Sequence, residues 1–348
     1  MNRKPSGLLE ILQPGIGTTV QDRGRSGHRH EGIPTGGWLD APLAEAANAL
    51  VGNAGGQAVL ELRGMGTELR VKNGPVRVAL AGRVAAKWHR QNGNMEPLSA
   101  WQSATLQLGD RLVFGPAESG CAYLAVAGGL NFAPQLGSCS SYTRAGLTGL
   151  LGRPWRPGDV LPCSGWTSPD FREWRVHEWT LPSGPIRVLP GPQQEHFSEQ
   201  ALALFYSEAW EATPEQDRMG LRLRGSVLKH VSAEAADIVS DAVAPGAIQV
   251  PANGQPIVLM ADSQTVGGYP KIAHVIAADL PRLAHLRPGV RITFECVTPT
   301  QARRALEAQR DGWLAWLSTR ETFLPPGFID EEALYCNNLV SGVLLAEI

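Results

Sequence analysis

Short apolar runs, broken by glycine and proline, set the pattern of this chain. Residues 59–62, 68–71, 76–81, 84–89, 105–108, 111–114 and 122–127 carry strand-forming residues between turn-forming ones. Runs so closely spaced predict a β-rich fold. Asn92–Gly93 and Gly109–Asp110 read as tight turns, with positive φ expected at Asn92 and Gly93. A second set of strands falls at 221–223, 247–250, 257–260, 273–276 and 290–297. Helical spacing is rarer. Leu43, Ala46, Ala47 and Leu50 recur at helical intervals between Pro42 and Gly52, which predicts a helix over 42–51. Ser198 suits the cap of a helix running to 209. Ala302, Ala305, Leu306, Trp313 and Leu317 share one face of a last helix over 301–318. The tail 324–348 ends in VSGVLLAEI, which reads as one more strand.

The polar, aromatic stretch FREWRVHEWTLPSGP at 171–185 interrupts this pattern. It predicts a β-rich domain over 1–184, a second over 185–320 and an extension over 321–348. At 348 residues, 43% apolar and 18% charged, the chain can bury a packed core. A formal net charge of −2 argues against a nucleic-acid binder. The five cysteines (121, 139, 163, 296 and 336) form no C-x-x-C pair, which fits reduced thiols. No signal-like or membrane-spanning apolar run stands out, so a soluble cytoplasmic chain with no membrane partner is expected.

The familiar hydrolase, metalloprotease and nucleotide-binding signatures are absent. His28 and His30 have no third ligand nearby, so no metal is expected. Three stretches are too specific for plain loops. Residues 18–40 set Gln21, Asp22, Arg23, Arg25 and Asp40 among glycines. Residues 237–260 place Ser240 and Asp241 ahead of Pro245–Gly246. In MADSQTVGGYPKIAHV, from Met260 to Val275, two glycines allow a close backbone approach, and Tyr269–Pro270 then aims Lys271. This inventory of Arg, Lys, Gln, Asp, Ser and Tyr suits holding a small polar substrate and stabilising negative charge.

The stretches LLEILQPGIGTTVQDRGRSGHRHEGIPTGGWLD, GGLNFAPQLGSCSSYTRAGLTGL and PGAIQVPANGQPIVLMADSQTVGGYPKI together resemble the biotin-dependent carboxyltransferase family. That family takes in 5-oxoprolinase C subunits, allophanate hydrolase subunit 2 proteins, part of urea carboxylase, and an antagonist of a kinase inhibitor. The resemblance implies a mainly β fold with cyclophilin-like barrels and a few short helices. It implies an enzyme working beside a B-type (subunit 1) partner protein, joined by an A-type partner protein in the 5-oxoprolinase role. There ATP is hydrolysed by the complex as the lactam of 5-oxoproline opens to L-glutamate. The alternatives are carboxyl transfer to urea or another small amide, from biotin carried on another protein, and a non-catalytic regulator that binds its partner.

The motif match makes Arg25, Arg218 and Lys271 candidate charge stabilisers, and Asp22, Asp241 and Asp262 candidate orienters or proton carriers. It makes Gln21, Asp40, Arg144, Ser240, Gln249, Gln264, Gly267, Gly268 and Tyr269 candidate substrate contacts. Relatives commonly carry arginine where this chain has Cys139 and Ser263. Losing a charged hydrogen bond costs about 1.5–3 kcal/mol of binding.

Overall fold

Period-two burial builds the first two sheets. In Val84–His89 the side chains of Val84, Ala86 and Trp88 are buried while Ala85 and Lys87 face water. Val76–Ala81 and Ala122–Val126 are instead buried at every position, because both faces of their sheet are covered. The computed structural model describes residues 7–118, 120–147, 153–163 and 172–325.

A six-stranded sheet runs in the order Val160–Cys163, Gly7–Pro14, Thr67–Asn73, Arg111–Ala117, Val84–His89, Met95–Pro97. It packs on a seven-stranded sheet whose centre is Val59–Leu62, Ala122–Val126, Val76–Ala81 and Gln102–Leu106. Val76, Val78 and Leu80 join Leu9, Ile11, Leu69 and Leu112 in the core between the sheets. The alternate residues Ala79 and Ala81 turn to the other face, against helix α1 (Ala41–Leu50). Small side chains there let the helix lie close to the sheet.

An eight-stranded, nearly closed barrel sheet follows, with Ile186–Pro190 antiparallel to Lys271–Val275 and parallel to Phe294–Cys296. Helix α2 (Glu199–Ser207) supplies Phe205, which stacks on Phe294 at 4.6 Å and sits beside the fully buried Trp210. Ser198 caps α2 through Ala201 N. The short helix α3 (Leu280–Ala284) follows the barrel strand.

Helix α4 (Pro299–Leu317) then leads the chain back to the first half. Thr298 and Gln301 form a capping box, so the helix begins two residues before the expected start. Trp316 packs edge-on to Trp101 and Trp179, at 5.7 and 5.4 Å, and donates to the His177 carbonyl. Trp313 donates to the Pro42 carbonyl. Glu321–Phe323 finally joins the seven-stranded sheet beside Glu173–Arg175.

The fold is mainly β with few helices, as expected. The strand expected over 290–297 is two shorter strands, Arg291–Ile292 and Phe294–Cys296, with different neighbours. The Asn92–Gly93 hairpin forms, but only Gly93 of the two takes positive φ. The strands Gly7–Pro14 and Thr19–Gln21 were not predicted; Pro14 and Gly15 obscure their pattern. The expected tail strand lies outside the described residues.

Trp316→Ala should lower unfolding stability by about 3–5 kcal/mol, read from urea melts, because it removes the aromatic contact that ties α4 to the first half. A loss under about 1 kcal/mol would show that α4 is not a structural tie.

Candidate active site

Arg218, in the turn between Trp210–Gln216 and Gly220–Arg224, organises the ground between the two halves. Its Nε and Nη2 donate to Oδ2 and Oδ1 of Asp262, both at 2.9 Å. Nη1 reaches Glu61 Oε1 at 2.6 Å, and Nη2 also reaches the Gly37 carbonyl at 2.6 Å. Burial alone would lower the pKa of this guanidinium, but Glu61 and Asp262 outweigh it and hold the charge in place. Glu61 Oε2 accepts from Tyr123 Oη at 2.8 Å, and Tyr123 Oη accepts the backbone N–H groups of Leu39 and Asp40. Burial above all pushes the Tyr123 phenol up, so it remains a donor.

Gly37 offers its carbonyl only because it is glycine. Its φ is 85°, and a Cβ would lie 2.9 Å from the Asp22 carbonyl oxygen.

Beside this network lies an open trough made of two adjoining cavities of about 690 and 550 Å³. Arg144, Pro214, Gln216, Asp217 and Met219 line both. Arg218 and Asp262 line the wider lobe; Gln249, Gln264 and Tyr269 line the narrower one. Six sequence candidates therefore meet along one groove. Arg144 is exposed and has no hydrogen-bond or ion-pair partner among the described residues.

The other candidates sit elsewhere. Asp22 accepts from Gly24 N, Ser138 Oγ, Cys139 N and Ser140 Oγ, so it fastens loop 138–141 to the loop it opens. Arg25 is 1% exposed. Its Nη2 donates to the Ser140 carbonyl, while Nε and Nη1 have no partner among the described residues. Burial lowers its pKa, opposed by Asp22 and Asp262. Gln21 is buried and donates to Thr19 Oγ1 and the Ser141 carbonyl. None of these three residues lines the trough.

Asp40, a candidate substrate contact, makes its described contacts within the protein. It is fully buried; Oδ1 caps α1 through Leu43 N, and Oδ2 receives His285 Nε2 at 2.8 Å.

Lys271 is aimed, as its Tyr-Pro lead-in implies, but at Asp241. Nζ is buried and reaches Asp241 Oδ2 at 2.6 Å and the Ala242 carbonyl at 3.2 Å. Asp241–Ala242 pairs with Val266–Gly267 as a two-stranded ribbon. Ser240 is exposed beside it, and the Gly268 carbonyl accepts from Ile238 N. Neither Lys271 nor Asp241 lines the trough. Gly267 has no positive φ; a Cβ there would meet Gln249 Nε2 at 2.5 Å, so its task is to make room for that amide.

Sequence reasoning missed Glu61, Tyr123 and His285. A glutamate among the inward residues of Val59–Leu62 was the one local signal. At the two departures from the common pattern, the Cys139 thiol is pushed up by burial and then by Asp22. Ser263 Oγ is buried without a partner among the described residues.

Arg218→Met should cost about 3–5 kcal/mol by denaturant titration, because it strands Glu61 and Asp262 as buried carboxylates; an unchanged melt would remove the network from its central place. The Lys271 ammonium, first by its hydrogen bond, holds Asp241 below its ordinary value of 3.8. The pair is therefore intact above that value and lost as pH falls through the lower, folded one. A carboxyl-carbon NMR titration should place the Asp241 midpoint below 3.8, and Lys271→Met should raise it, with the Ala242 N–H still holding it partly down. Identical midpoints in both proteins would refute the pairing.

Residues 31–296, spanning both halves, match the family model described as carboxyltransferase domain, subdomain A and B. The chain is 38% identical over 328 residues to the 5-oxoprolinase C subunit of Escherichia coli, covering 89% of this chain and 98% of that one. It is 32% identical over 299 residues to the 5-oxoprolinase C subunit of Haemophilus influenzae, covering 85% and 94%. The crystal structure of the K. lactis urea amidolyase superposes with a TM-score of 0.80 at 27% identity, over 91% of this chain but 20% of that longer chain. Sequence matched over most of the chain and a shared fold lead to one conclusion: the chain belongs to the carboxyltransferase domain family, subdomains A and B.

Proposed function

We propose that the chain is the C subunit of an ATP-dependent 5-oxoprolinase, and that the trough receives 5-oxoproline. Opening this lactam adds water across the C–N bond. The carbonyl carbon becomes the side-chain carboxylate of L-glutamate, and the ring nitrogen becomes its amine. ATP is consumed by the assembled enzyme, which in this reading includes a B-type and an A-type partner protein. The near full-length similarity to two 5-oxoprolinase C subunits supports the reading.

The observation that carries it is a cation common to both lobes of the trough, Arg144. Arg144 has no partner of its own among the described residues, and 5-oxoproline brings a carboxylate. A charge-assisted contact of this kind contributes about 1.5–3 kcal/mol. Urea is neutral and makes no such use of Arg144. Arg218 and Asp262 form the fixed polar wall of the wider lobe, their hydrogen bonds already satisfied by one another and by Glu61 and Gly37. Such preorganised dipoles suit a reaction that redistributes charge over an amide.

The likeness to urea amidolyase favours a second reading, carboxyl transfer to urea or a similar amide with biotin carried on another protein. The purified chain with its two partners, ATP and 5-oxoproline should release glutamate. Arg144→Gln should raise KM about 10-fold or more with a smaller change in kcat. No glutamate from the complete mixture, with urea carboxylated instead, would replace the first reading by the second.

A further inference from the structure

We propose that Gln264 reads the N–H of the substrate amide through its side-chain oxygen, and that Gln249 fixes that oxygen's direction. This rests on the trough receiving 5-oxoproline. A backbone carbonyl sets the orientation of both amides. Tyr269 O can only accept, so the end of the Gln249 amide facing it, at 3.3 Å, is Nε2. Gln249 Oε1 must then face Gln264, and the atom it meets at 3.3 Å must be a donor, Nε2 of Gln264. One end of the Gln264 amide is thereby committed. Its Oε1 has no partner among the described residues, and the half-buried side chain lines the narrower lobe.

Gln249 holds the relay in place. It is 2% exposed, and the missing side chain of Gly267 is the space its amide occupies. The lobe thus ends in an oriented acceptor, which calls for a donor on the ligand. 5-Oxoproline has one N–H, on the atom next to the carbon that bears its carboxylate. Arg144 lines the same lobe. Acceptor and cation together match the adjoining N–H and carboxylate, a pair that distinguishes a cyclic amide acid from a simple amide or a simple acid. Gln264 is the contact residue; Gln249 is a positioning residue.

The test measures dissociation constants on the assembled enzyme without ATP. The probes are 5-oxoproline and 3-oxocyclopentane-1-carboxylate, in which CH2 replaces the ring N–H at nearly the same size. Wild type should bind the carbocycle about 10-fold or more weakly than the lactam. Gln264→Leu, checked for an unchanged melting temperature, should bind the two within about 3-fold of each other. Gln249→Leu should narrow the ratio too, because it frees the Gln264 amide to turn. A wild-type ratio near one, or the same ratio in wild type and Gln264→Leu, overturns the inference. Glutamate release from 5-oxoproline by the wild-type complex reports separately on the underlying reading.

Discussion

One buried guanidinium governs this structure. Arg218 leaves a turn of the barrel sheet and binds Asp262 on its own side, then Glu61 and the Gly37 carbonyl on the other. Buried ion pairs are weak sources of stability, since desolvation offsets attraction. Their strength is selectivity: only one relative placement of the halves satisfies all of these partners. The apolar core that runs from α1 into the barrel supplies attraction without direction. Arg218 supplies the direction, and the trough takes its shape from it.

The layers around the trough divide the work. Outside it, Asp22 gathers the hydroxyls and amide of loop 138–141, and Asp40 joins α1 to His285. Along it stand Arg144, Gln264 and Tyr269. Apart from both, the Asp241 ribbon lies over Lys271. Residues of the three matched stretches thus separate into those held by the protein's own hydrogen bonds and those that line the trough.

Much of the fold was legible because it is written locally. Pro42 and Gly52 bracket α1, and apolar runs between glycines mark most strands. The start of α4 was misjudged because its signal is the reciprocal Thr298–Gln301 cap, not the apolar stripe. The site was legible only in part. Gln249, Gln264 and Tyr269 fall in recognisable stretches, yet Glu61 meets Arg218 across 157 positions of sequence. No periodicity reports such a pairing. Asp40 was named on the motif match, and a motif does not show that its carboxylate caps α1 and meets His285. Lys271 shows the same limit: its neighbours imply that it is aimed, and only the tertiary structure supplies the target.

The return of the chain after α4 has a consequence for biosynthesis. The seven-stranded sheet has a strand at residues 19–21, but its outermost strand is Glu321–Phe323. On the ribosome, the first half therefore emerges with Glu173–Arg175 as an open edge, and with Trp101 lacking the indole of Trp316. That edge stays available to other chains until residues 321–323 have been made. Truncation ahead of residue 321 would thus leave the Glu173–Arg175 edge exposed.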